Sequence, residues 1–136
     1  MVVGKLSRLS EIFLAGFSYI CLHELGHYIF ALLFGLSPQL VTSPQTMPMT
    51  GFALTSVGVA YSSSANIFQS YIIVLGAVLL PFFVAIIFLI RAKIDNNLLL
   101  VRLAKMYIVF ILLNMVPIAG QPNLDANKIW AFTGLV

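Results

Sequence analysis

Residues 12–34 form a run of 23 in which Glu24 is the only formally charged side chain. As a helix rising ~1.5 Å per residue, that run measures ~34 Å, enough for the ~30 Å hydrocarbon core of a bilayer. Composition points the same way. Of 136 residues, 61% are apolar and 8% charged, with a mean hydropathy of +1.06. An ordinary soluble domain has about 45–50% apolar and about 25% charged residues. This chain therefore cannot cover its own surface with polar groups, and a water-soluble globule is excluded. A disordered chain is excluded too, since disorder needs low hydrophobicity and high charge. The length suits one integral membrane domain, residues 1–136. A net charge of +3, thinly scattered, argues against nucleic acid as a partner. Cys21 is the lone cysteine, so no intrachain disulfide can form.

Two further stretches have the length of a span. Residues 71–90 carry no charge. Residues 98–119 carry Arg102 and Lys105 in the first half, where long cationic side chains can snorkel to the headgroups, and Pro117 near the far end. The N-terminus imitates a signal peptide, with Lys5 and Arg8 ahead of an apolar run. His23, Glu24 and His27 interrupt that run and no small-residue cleavage site follows, so the segment is expected to be retained. Lys and Arg cluster at 5 and 8 and again at 91, 93, 102 and 105, while 37–69 is uncharged. The positive-inside rule then places the N-terminus and a 91–105 loop in the cytoplasm, with 37–69 and the C-terminus on the other face.

Residues 35–69 contain Gly35, Pro38, Pro44, Pro48 and Gly51, which exclude a helix. Within them, 52–61 (FALTSVGVAY) alternates roughly and is rich in β-branched residues, which suits a strand or hairpin; a surface loop is the plainer alternative. The expected fold is thus an all-α membrane protein of three transmembrane helices, with a short β-hairpin or re-entrant segment after the first. The expected location is multi-pass in a membrane, the cell membrane first.

The chemistry lies in His23-Glu24-Leu25-Gly26-His27, an H-E-x-x-H inside the first span. On a helix, residues four apart are separated by only about 40° around the axis, so both imidazoles face one way. They can hold one metal ion, with Glu24 beside them to take a proton from a water. These are the chain's only two histidines, and Glu24 is one of four carboxylates. A charged side chain at that depth costs about 2.5–3.5 kcal/mol, and a bound dication would offset it. A polar turn facing neighbouring helices is the non-metal alternative. Cys21 lies about 200° round the helix from His23 and reads as a small buried hydrophobe rather than a ligand.

Catalytic zinc takes three protein ligands and keeps one open position. With no histidine left, the third must be an acid. Glu11 lies far along the same helix, and Asp95 sits beside Arg91 and Lys93. Asp125 is the better candidate, since it follows Asn114-Met115-Val116-Pro117 and a turn-rich stretch that lets the chain fold back. Its position would also suit an N-cap for residues 126–132.

An HELGH in a span, followed two spans later by N-x-x-P and Leu124-Asp125, resembles the site-2 protease family of intramembrane zinc metalloproteases (peptidase family M50). The likeness covers nearly the whole chain, as a minimal three-helix core. It implies that His23, His27 and Asp125 bind one Zn2+ per chain, that Glu24 is the general base, and that Asn114 helps bind the substrate backbone. It also implies an apolar hairpin after the first core helix. The chain departs from the family pattern at Ala126, where glycine is usual, and in the eleven-residue spacing from Asn114 to Asp125. The Gly-Pro-containing signature of the second core helix is replaced by Gly76-Ala77-Val78-Leu79-Leu80.

The expected function is hydrolysis of peptide bonds in or near transmembrane segments of membrane-protein substrates. A helical substrate must unwind to be cut, and an edge strand at 52–61, with Val57 and Val59 at its centre, could hold it extended by strand addition. Two alternatives belong to other classes. One is a catalytically inactive relative acting as a binding or regulatory partner. The other is a mononuclear iron oxygenase, which also uses two His and one carboxylate but leaves Glu24 without a role.

Overall fold

In the computed structural model, which describes residues 7–46, 53–61, 65–117 and 125–134, the chain runs α1 (Arg8–Leu33), β1 (Gln39–Thr46), β2 (Ala53–Ala60), α2 (Ile67–Asp95), α3 (Leu98–Asn114) and α4 (Asp125–Thr133). Ser7 caps α1, its Oγ accepting from the Ser10 N–H at 3.2 Å. At the far end Gly35 takes φ +69, and the Leu36 N–H closes on the Ala31 carbonyl at 3.1 Å. A left-handed glycine at that place relieves the end of a helix without a Cβ clash, and Pro38 prevents its resumption.

The strand expected at 52–61 is β2. It pairs antiparallel with β1, from Gln39 opposite Ala60 to Thr46 opposite Ala53. The two strands form the expected short hairpin; sequence reading did not place its first strand, which contains Pro44. A two-stranded sheet leaves each strand one open edge, and proline is tolerated on an edge strand. Pro48 and Gly51 lie outside the described residues.

Asn66 and Gln69 form a capping box at the start of α2, with reciprocal bonds of 2.8 and 2.9 Å. The helix begins four residues before the expected 71–90 span and continues to Asp95. The expected 91–105 loop is therefore corrected: Arg91 and Lys93 lie in the last turns of α2, and Arg102 and Lys105 lie in α3. Asn96, left-handed at φ 48, and Asn97, which caps α3 through the Leu99 N–H at 3.0 Å, make the whole reversal. Asn96 tolerates the left-handed backbone and the Asn97 side chain bonds to the local backbone, which is why two residues suffice. The expected 98–119 helix stops at Asn114. Proline disfavours helical backbone in the residue before it and has no N–H to donate, so Pro117 ends the helix early.

Ala15, Tyr19, His23, His27 and Ala31 recur every four residues as the buried stripe of α1. That stripe faces α2 and α3, whose buried Val74, Val78, Ala85, Leu103, Ala104, Tyr107 and Ile111 complete the core. Gly26 and Gly76 set the α1–α2 distance: a Cβ on Gly26 would lie 2.5 Å from the Gly76 carbonyl oxygen. Small residues at such a crossing allow backbones to approach closely. Outward faces remain apolar, with Phe13, Phe17, Phe83, Ile87, Leu112 and Leu113 all exposed.

Among the described residues, α2 is the one helix long and apolar enough to cross a bilayer. α1 has the length but carries His23, Glu24 and His27, and α3 has 17 residues, about 26 Å. The three-span expectation is met by the second span alone.

Candidate metal centre

The imidazoles of His23 and His27 stand one turn apart on α1 with ring centroids 4.9 Å from each other. Asp125, the first residue of α4, points its carboxylate between them. Its Oδ2 accepts from His23 Nε2 at 2.9 Å and from His27 Nε2 at 2.8 Å. The three potential ligand atoms lie within 4.8 Å of one another, and both histidines are buried. Burial pushes the Asp125 carboxyl up, but the hydrogen bonds and charge of the two imidazoles outweigh it and hold the group well below the usual carboxylate range.

α4 returns to the bundle for identifiable reasons. The Trp130 indole N–H donates to the Met115 carbonyl at 2.8 Å, tying α4 to the end of α3. Phe132 stacks on Tyr71 of α2 at 4.0 Å, and Ala126 and Ile129 are buried beneath. Asp125 is thereby carried to His27 across 98 residues of sequence. As the opening residue of α4 it lies where a cap would, yet its oxygens are directed at the two imidazoles and at Lys128, whose Nζ is 3.6 Å from Oδ1.

The rival acids are occupied elsewhere. Glu11 is buried and accepts from Arg102, itself half exposed, at 2.8 Å. Asp95 pairs with Arg91 one turn away at 3.2 Å. Cys21 is exposed, not buried as its hydrophobic character suggests; the same rotation that removes it from the histidines puts it on the outer face of α1.

Asn114 reaches the site from the last turn of α3, its side chain 3.3 Å from His23 Nδ1. A histidine that binds metal through Nε2 carries its proton on Nδ1 and needs an acceptor there. The atom of Asn114 that faces Nδ1 is its amide Nδ2; a half-turn of the amide would put its oxygen there and supply that acceptor. Glu24 lies next to His23 with Oε2 buried and without a hydrogen-bond partner. Such an atom is costly to leave unsatisfied, and it is the atom a general base would use. β2 lies against α1, with Val59 half-buried opposite Leu40 and Val57 opposite Thr42. The Val57 side chain lies outside the described residues.

No protein-family model, curated protein or solved structure matches this chain. The site therefore rests on its own geometry. Sequence reading missed two neighbours. Tyr19 stacks on the His23 ring at 5.9 Å, and Lys128 faces Asp125. Both stood at helical spacings from motif residues, four before His23 and three after Asp125, and that periodicity was the available signal.

Two imidazoles and one carboxylate are a donor set that zinc accepts, and a three-ligand set leaves a position open.

Proposed function

We propose that this chain is a zinc-dependent intramembrane endopeptidase of the site-2 protease kind, cutting peptide bonds in or near transmembrane segments. The observation that carries this reading is the convergence of His23, His27 and Asp125, next in the chain to Glu24, whose buried Oε2 has no partner among the described residues, within an apolar bundle. His23, His27 and Asp125 would hold the ion, with Asn114 fixing the His23 tautomer. When bound, zinc lowers the pKa of a water to about 7 and polarises a peptide carbonyl. Glu24 takes the proton from the attacking water as its oxygen adds to the carbonyl carbon. It returns that proton to the leaving amine as the C–N bond breaks.

Exposed apolar residues on α1 and α3 favour a bundle embedded as a whole, with those two helices crossing beside α2 in a multi-pass arrangement. In such a bundle the polar turn of α1 faces protein, where intramembrane ionisable groups belong. The open edge of β2 suits an unwound substrate segment bound as an added strand.

The test is cleavage of a panel of transmembrane peptides in detergent micelles, with and without chelator. Wild type is expected to cleave in a chelator-sensitive manner, and Glu24→Gln to lose cleavage while keeping about one zinc per chain. Zinc binding with no cleavage by wild type would replace this reading with a non-catalytic binding partner; iron in place of zinc would point to an oxygenase.

A further inference from the structure

A cavity of about 390 Å³ opens between the start of α2 and α4, lined by Ser70, Tyr71, Lys128, Ala131 and Phe132 among others. It adjoins the metal centre through Lys128, whose ammonium is 3.6 Å from Asp125 Oδ1. We infer that this cavity is a substrate subsite for an acidic side chain, with Lys128 as the residue that selects it; the inference rests on the peptidase reading above.

The charge balance at the centre leads to this class of ligand. Lys128 shares its carboxylate partner, because Asp125 faces it with Oδ1 while Oδ2 is taken by the two imidazoles. Arg102 is paired with Glu11 and Arg91 with Asp95. Lys128 keeps nearly half of its side chain exposed, so an incoming group can reach it. The remaining lining suits the rest of a glutamate. The stacked pair Tyr71–Phe132 gives a flat apolar wall for methylenes, and the Ser70 hydroxyl can donate to a carboxylate.

Reach sets the position. Lys128 Nζ lies 3.6 Å from Asp125 Oδ1, so the acidic residue lies close to the metal-ligating side chains, within two residues of the cleaved bond on one side or the other.

The test begins with a transmembrane peptide that wild type cleaves and whose cut bond is located by mass spectrometry. That peptide is resynthesised with Glu or Gln at each of the two flanking positions on either side. Binding is measured by fluorescence anisotropy to full-length Glu24→Gln protein loaded with zinc. At one position the Glu peptide is expected to bind about fivefold more tightly than its Gln counterpart, as a partly exposed ion pair allows. Adding Lys128→Gln should erase the difference, and Lys128→Glu should invert it, with zinc content unchanged in Lys128→Gln. Equal binding of all Glu and Gln peptides, or a preference that survives Lys128→Gln, overturns the subsite while leaving the peptidase reading intact. Absence of cleavage across the whole peptide panel overturns the peptidase reading itself, and the subsite with it.

Discussion

Asp125→Asn separates the metal-ligand role of this residue from every structural one. Asparagine has the same shape, opens a helix as well as aspartate does, and still accepts a hydrogen bond. The Trp130–Met115 bond and the Tyr71–Phe132 stack that seat α4 do not involve it. What changes is the charge on the oxygen 2.9 and 2.8 Å from the two imidazole nitrogens. Folding should therefore lose only the charge-assisted part of those bonds, about 1–2 kcal/mol. Metal binding should suffer far more. Zinc sites at neutral pH bind with about 10 kcal/mol or more. One ligand in three accounts for about 3 kcal/mol, or roughly a hundredfold to a thousandfold in affinity. The assay is zinc content by mass spectrometry after equilibration against a buffered zinc series, with thermal unfolding alongside. A near-native melting curve with zinc binding weakened at least a hundredfold is expected. Wild-type affinity in this variant would refute the ligand assignment, since neither Glu11 nor Asp95 is positioned to replace it.

Gly26→Ala places a methyl 2.5 Å from the Gly76 carbonyl oxygen and 2.6 Å from the Ala77 Cα, both backbone, so α1 and α2 must part by about 1 Å to restore ordinary contact. Overpacking of this kind costs about 1–3 kcal/mol; thermal unfolding should show it, and an unchanged melting temperature would mean that the helices are not in backbone contact. Arg102→Met strands the buried Glu11 carboxylate, whereas Glu11→Leu with Arg102→Met removes both charges. The single variant should be destabilised by about 1–3 kcal/mol, below the ~3–5 kcal/mol of a fully buried pair because Arg102 is half exposed, and the double should recover most of it, with zinc binding unaffected in both. Val57→Pro removes a main-chain donor from β2 and is expected to reduce peptide cleavage at least tenfold without releasing zinc; full activity would return the hairpin to a spectator.

Local periodicity made the helices and the histidine pair legible in the sequence. An apolar run of span length has one stable backbone solution in a medium without water, and an i, i+4 pair on that backbone must share a face. Alternating β-branched residues likewise marked β2. Helix ends were less legible, because Asn96, Asn97 and Pro117 decide them through single-residue backbone chemistry that hydropathy does not register. The partner strand, which sequence reading did not place, contains Pro44, acceptable only because the sheet has two strands. The choice among Glu11, Asp95 and Asp125 depended on contacts between distant segments. Arg102 and Arg91 engage the first two, while Trp130 and Phe132 dock the helix that delivers the third. Lys128 joined the site by the same docking. Sequence periodicity governs which way a side chain faces along its own helix; only the packing of α4 against α2 and α3 governs which side chains, 98 residues apart, meet at one point.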